Sequence, residues 1–220
     1  MAKVCKDYGN LKKAKVLVIG HDPRLQLSNE IAEYCFYANF YSKNDIKTRQ
    51  DKRKRALATS VYECIFELTN NKFSTEEIYI TNLCNGELPH APKKKTVYIP
   101  IDKAKDGINR IKSILDNSNI EYIFATSLKV NYWLQNLEFY SSNNTFLENT
   151  KVSETGKLNN PPYFKPTKDG TFKEICGNVY KVNDRDVKVI PILHPKQYPL
   201  NKTMKKHYKE SYDRIKIYFS

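Results

Sequence analysis

The chain has 220 residues, which suits one domain, and at 40% hydrophobic residues it can bury a core, which excludes a protein disordered throughout. Its 37 Lys and Arg against 24 Asp and Glu leave a formal charge of +13, so a polyanionic partner is expected, and 16 Tyr with 10 Phe fit nucleic acid better than an acidic protein, although A/T-rich codons favour several of the same residues. Five widely spaced cysteines with no C-x-x-C pair argue against a disulfide framework or zinc ribbon, and the absence of a signal-type apolar core or a membrane-length apolar run makes a cytoplasmic protein the expectation.

Taken in chain order, Val16–Ile19 reads as a strand, and Asn29 to Tyr41 as a helix with Ile31, Tyr34, Cys35 and Ala38 at helical spacing. Lys47 to Arg55 is a basic run, read as a helix start or a solvated loop, and Arg55 to Leu68 is a helix with Leu57, Val61, Cys64, Ile65 and Leu68 on one face. Ile78–Thr81 is the second strand, Asp106 to Leu115 a helix, Tyr122–Ala125 the third strand and Leu128 to Leu137 a short helix. Phe139 to Ile175 is rich in Ser, Asn, Pro and Gly and is expected to be an insertion or lid. Val179–Val182, a turn at Asn183 to Asp186 and the strand Val187–Leu193 form a hairpin, followed by a basic amphipathic helix over Met204 to Tyr218.

Continuous apolar strands separated by helices predict an α/β fold: a four-stranded, mainly parallel sheet with helices on both faces, in three α/β/α layers. The expected organisation is a single domain over residues 1–220, with the insertion at 139–175.

Polar residues stand where the strands end. Gly20-His21-Asp22-Pro23-Arg24 follows the first, Asn82 closes the second, Thr126 and Ser127 close the third, and His194-Pro195-Lys196-Gln197-Tyr198-Pro199 follows the last. Each has an ordinary explanation taken alone, because Asp-Pro is turn chemistry, an amide caps helices and a lone histidine is usually structural. An open α/β sheet, however, builds its site outside the carboxyl ends of its strands. There an acid, an amide and an imidazole would meet in one crevice suited to a polar heterocycle, with Asp22 orienting water, Asn82 both donating and accepting, and His194 donating to an oxygen that gains charge.

These segments resemble the uracil-DNA glycosylase superfamily. Val16 to Pro23 reads V-L-V-I-G-H-D-P, residues 78–82 read I-Y-I-T-N and residues 192–195 read I-L-H-P, in the family's order and spread over about residues 15 to 200. Gly20, Asp22 and Pro23 match the family's G-Q-D-P-Y-H motif, His194 and Pro195 its H-P-S-P-L motif, and Asn82 the asparagine that reads the uracil edge. Cys35-Phe36 corresponds to the C-F pair whose ring stacks on the flipped base, with Tyr37 and Phe40 as alternatives. The resemblance implies a uracil-DNA glycosylase-like fold and hydrolysis of an N-glycosidic bond in DNA, as in base excision repair. Asp22 and His194 would be catalytic, and Gly20, His21, Pro23, Phe36 and Asn82 would bind the base. No metal or other cofactor is expected, and the chain is expected to act as a monomer on single- or double-stranded DNA, away from membranes.

His21, Arg24 and Leu25 stand where the family's best-known members have Gln, Tyr and His, and Lys196-Gln197 replaces Ser-Pro, so the chain reads as a divergent member with an unassigned base preference. It lacks the N-terminal C-x-x-C of the iron–sulfur branches. Contacts to DNA are expected from Arg24, Lys93, Lys94, Lys95, Lys196 and Lys202, with Lys205 and Lys206 beside them, and from Tyr198 or Leu200 as a wedge into the duplex. A catalytically silent relative that binds nucleic acid or a protein, and an enzyme acting on free nucleosides or nucleotides, are the competing readings.

Overall fold

The computed structural model of the chain describes residues 4–21, 31–86, 99–142, 171–197 and 202–220. Its centre is a five-stranded sheet of β1 (Val16–Gly20), β2 (Ile78–Asn82), β3 (Tyr122–Thr126), β4 (Tyr180–Lys181) and β5 (Lys188–Ile192) in the order β2-β1-β3-β5-β4. The first four in that order run parallel, and β4 is an antiparallel edge strand on β5.

Period-two alternation sends the apolar runs into two separate cores. Val16, Val18, Ile78, Ile80, Phe124, Ile190 and Ile192 face α1 (Arg49–Leu68) and α5 (Lys202–Tyr218), packing on Val61, Ile65, Leu68 and Ile215. Leu17, Ile19, Ile123, Ala125 and Val189 face the other way, onto Ile108, Ile111 and Leu115 of α2 (Ile101–Asp116) and Trp133 and Leu134 of α3 (Ser127–Asn136). A sheet buried on both faces is why the strands read as continuous apolar runs. Among the described residues no helix is long and apolar enough to cross a membrane.

The expected α/β class, with helices on both faces of a mostly parallel sheet, holds, and the sheet has five strands where four were expected. The extra one is the two-residue first arm of the predicted hairpin, Tyr180 and Lys181 pairing with Val189 and Lys188. The basic run opens α1, which starts at Arg49 and not at Arg55. Thr48 caps it: its hydroxyl accepts from the Asp51 N–H at 3.0 Å, and the Asp51 carboxylate accepts from the Thr48 N–H at 3.2 Å. Among the described residues 31–41, the α-helix predicted over 29–41 does not form. They hold a 3-10 turn, Cys35–Phe40, entered through extended Tyr34.

The ends of the predicted insertion belong to the cores. Phe139 and Tyr140 are buried beside α3, and Phe172 and Ile175 of α4 (Thr171–Ile175) are buried on the α1 side, while residues 143–170 lie outside the described residues.

Chain direction fixes where a site can be built. α1 returns from the C-terminal edge of β1 to the N-terminal edge of β2, so its first turn stands at the strand C-terminal edge. The connection through α1 leads to one side of β1 and the next, through α2, leads to β3 on the other side. The sheet's topological switch point is therefore between β1 and β3.

Candidate functional site

Register places the polar strand ends side by side. Gly20 pairs with Asn82 across β1 and β2, Thr126 pairs with Ile192 across β3 and β5, and His194 follows two residues later. Gly20, Asn82 and His194 continue the rows Val16-Val18, Ile78-Ile80 and Ile190-Ile192, which face α1.

Phe36 lies over this edge. A Cβ built on Gly20 would sit 2.2 Å from Asn82 Oδ1 and 2.3 Å from Phe36 Cε2, so only glycine lets the amide and the ring rest on the end of β1. The Phe36 ring is 5.5 Å from the His194 ring, centroid to centroid, at an interplanar angle of 37°. Gly20, Phe36, Asn82 and His194, chosen from three distant parts of the sequence, thus meet in one place. His21, the next residue of β1's exit, is also buried.

Asn82 is 1% exposed, and its Nδ2 has no hydrogen-bond partner among the described residues. A buried unpaired amide donor costs about 1–3 kcal/mol. N-capping, which uses the amide oxygen as acceptor, does not account for this donor, and it is available to an acceptor that reaches the strand ends. Thr126 differs, because its hydroxyl donates to the Ile19 carbonyl at 2.9 Å and ties β3 to β1.

His194 Nδ1 accepts the Lys196 backbone N–H at 3.1 Å. A ring nitrogen that accepts carries no proton, so the neutral imidazole is protonated on Nε2 and can donate from there. Lys196 therefore serves the site through its backbone, while its side chain is exposed.

Phe36 and Tyr37 both have left-handed backbones, with φ of 54° at each. For bulky residues this costs about 1–3 kcal/mol apiece and persists only where the surroundings enforce it. The chain N-terminus does so: the Cys35 N–H donates to the Lys6 carbonyl at 2.9 Å and the Lys6 N–H to the Glu33 carbonyl at 2.8 Å. Beneath the turn the Cys5 and Cys35 sulfurs are 3.5 Å apart. Burial pushes the Cys35 thiol well up, so it packs as a neutral group.

Sequence reasoning missed Asp7 and Arg110. β2 has β1 on one side only, and on its other side Tyr8 exchanges two backbone bonds with Ile80, at 2.9 and 2.8 Å. One step further, Arg110 of α2 donates to the Asn82 carbonyl and to the Thr81 hydroxyl. The same guanidinium is 2.8 Å from both Asp7 oxygens, and Asp7 also accepts from Thr81 and from Asn85. This network holds the backbone that carries the Asn82 amide.

Asp22, Pro23, Arg24, Lys93, Lys94, Lys95, Tyr198 and Leu200 lie outside the described residues, and Lys202 opens α5. The described residues gather no group of three His, Cys, Asp or Glu side chains able to hold a metal ion. A groove of about 810 Å³ lined by Tyr8, Tyr34, Tyr41 and Tyr62 runs beside the N-terminal segment and does not include the four converging residues. In comparisons with known proteins, no family model matches the chain and no curated protein matches it.

Proposed function

We propose that the chain is a monofunctional DNA glycosylase of the uracil-DNA glycosylase type, acting on uracil or a related deaminated base turned out of DNA. The observation that carries this reading is the meeting over Gly20 of a stackable ring, a buried unpaired amide donor and an imidazole whose Nδ1 accepts a backbone N–H. Those three groups match what a flipped pyrimidine presents: a π-face, a polar edge and a carbonyl oxygen.

In the proposed reaction the base enters the cleft and stacks on Phe36, a contact worth roughly 1–3 kcal/mol. Asn82 Nδ2 donates to a carbonyl of the base edge. Asp22, assigned from sequence, stabilises the cationic sugar as the C1′–N bond breaks and orients a water whose oxygen bonds to C1′ and whose proton passes to the Asp22 carboxylate. The electron pair leaves with the base, and His194 Nε2–H donates to the base oxygen on which negative charge collects. A donor aimed at developing charge contributes about 10²–10³ in rate.

The test is release of free base from single- and double-stranded oligonucleotides containing uracil, hypoxanthine or a G:T pair. Asp22→Asn and His194→Ala should each suppress it, the latter by about 10²–10³-fold. No release from any of these substrates by the parent chain would overturn the enzyme reading, and activity confined to free nucleosides would move it to another substrate class.

A further inference from the structure

We infer that the exposed face of the first two turns of α1 holds the phosphodiester backbone of the nucleic acid whose base enters the cleft. The inference rests on the proposed function and adds a binding surface that neither the family motifs nor the clusters at Lys93–Lys95 and Lys202 include.

The first observation is charge. Residues 43–55 contain seven Lys and Arg against two carboxylates, a net +5 of the chain's +13 in 13 residues. The two carboxylates are already engaged, Asp45 with Lys47 at 3.0 Å and Asp51 with the capping box of Thr48. Lys43 and Lys54 lie over aromatic rings. Arg49, Lys52, Arg53 and Arg55 are exposed and have no ion-pair partner among the described residues. At 100° per residue Arg49, Lys52 and Arg53 share one face, opposite the buried Ala58, Tyr62 and Ile65, with Arg55 on its flank. Four cations of one sign, about 9 Å from first to last along the axis, repel one another unless a polyanion lies across them.

The second observation is position. α1 packs on the turn that carries Phe36 and against Pro195–Gln197, the turn after His194. Lys54 Nζ lies 5.3 Å from the centre of the Tyr37 ring and 5.7 Å from that of Phe40, so the second turn of α1 rests on the residues next to Phe36. A shallow depression of about 520 Å³, lined by Ile46, Lys52, Arg55, Ala56 and Thr59, lies beside two of the cations. One strand of duplex DNA carries one charge per ~3.4 Å of axis, so a strand lying along the ~9 Å of this face brings about three phosphates to its cations.

The experiment measures binding of the full chain to uracil-free single-stranded and duplex oligonucleotides between about 50 and 200 mM salt. One variant carries Arg49→Gln, Lys52→Gln, Arg53→Gln and Arg55→Gln. A charge-matched control carries Lys12→Gln, Lys13→Gln, Lys15→Gln and Lys72→Gln, at the opposite end of the sheet. Loss of two or more phosphate contacts should flatten the plot of log affinity against log salt by at least about 1.4 on single strands, or 1.8 on duplex, in the α1 variant alone. Arg49→Gln and Arg53→Gln singly should each take a part of that change. Equal flattening in both quadruple variants would reduce the effect to net charge and overturn the inference. An unchanged slope in the α1 variant would overturn it while leaving DNA binding and base release standing. Binding to phosphatidylserine vesicles but not to DNA, lost in the α1 variant, would overturn it in favour of a membrane. Absence of base release, with the slope flattened only in the α1 variant, would sink the glycosylase reading and leave the surface.

Discussion

Two buried asparagines of this chain should respond oppositely to truncation. Asn131 is fully buried: its Nδ2 donates to the Ala125 and Ser127 carbonyls at 2.9 and 2.8 Å, and its Oδ1 accepts from the Tyr140 hydroxyl at 2.7 Å. Asn131→Ala leaves two carbonyls and a hydroxyl without that partner in a closed interior, at roughly 1 kcal/mol or more each, for a total of about 3 kcal/mol. In a chain of this size that lowers Tm by roughly 6–12 °C. Asn82 makes no such bond, and its Nδ2 is a buried donor without a partner among the described residues. Asn82→Ala removes a penalty of about 1–3 kcal/mol and opens a small cavity costing about 1 kcal/mol, so stability should stay within about 1 kcal/mol of the parent or rise. Base release under single-turnover conditions should nevertheless fall by about 10²–10³-fold. Thermal melts of both variants, with release normalised to folded protein, check the pair. If Asn82→Ala melts as low as Asn131→Ala and its folded fraction still releases base, Asn82 is a structural group and the site assignment is wrong.

Gly20→Ala places a methyl group 2.2 Å from Asn82 Oδ1 and 2.3 Å from Phe36 Cε2, so one or both side chains must shift. It should cost about 1–3 kcal/mol in stability, and about 10²-fold or more in release if both side chains move by an ångström, as a melt and a rate measurement will show. Arg110→Met should destabilise by about 1–3 kcal/mol, because the half-buried Asp7 carboxylate loses its counter-charge while keeping its bonds from Thr81 and Asn85, and adding Asp7→Asn should recover part of that loss in a double-mutant cycle by urea unfolding. Additive effects would show that the two side chains are not coupled. Burial pushes the Cys176 thiol from its ordinary 9.0 up to about 12. The folded state thus keeps a proton that the unfolded chain loses, and this stability is whole below pH 9 and disappears as pH rises toward 12. Between about pH 8 and pH 10 it amounts to about 1.4 kcal/mol. Cys176→Ala should remove that much of the pH dependence of urea unfolding, and an unchanged dependence would contradict the assignment.

The legible parts of the fold were those in which local pattern and tertiary environment agree. β1, β2, β3 and β5 were read within a residue or two, because strands covered on both faces cannot carry polar side chains until they emerge, and the emerging residues are Gly20, Asn82, Thr126 and His194. The start of α1 was obscured because Arg49 to Arg55 has the composition of a solvated loop, and the Thr48–Asp51 cap is a subtler cue than an apolar stripe. β4 contributes two residues and has no periodicity to detect. Arg110 and Asp7 are 103 positions apart, and an arginine on an amphipathic helix reads as a solvent contact until the edge of β2 is known to need a donor.

The failure at residues 29–41 is of a different kind and bears on function. Ile31, Tyr34, Cys35 and Ala38 have true helical spacing, and no glycine or proline interrupts them. Cys35, Phe36, Tyr37, Ala38 and Phe40 are all buried, so periodicity had no exposed face against which to register. The tie to Lys6 then imposes left-handed conformations on two aromatic residues that a helix would have spared. Natural sequences tend to break local rules at strained or functional positions, with compensation elsewhere. Here the break falls on the residue whose ring covers Gly20 and approaches His194. A Phe36 in regular helix would follow the axis of α-type backbone instead of lying across the end of β1. The strain and the unpaired Asn82 amide are two separate departures from what stability alone favours, and they occur within contact distance of each other. That coincidence is the reason to seek a ligand at these strand ends before any other place on the molecule.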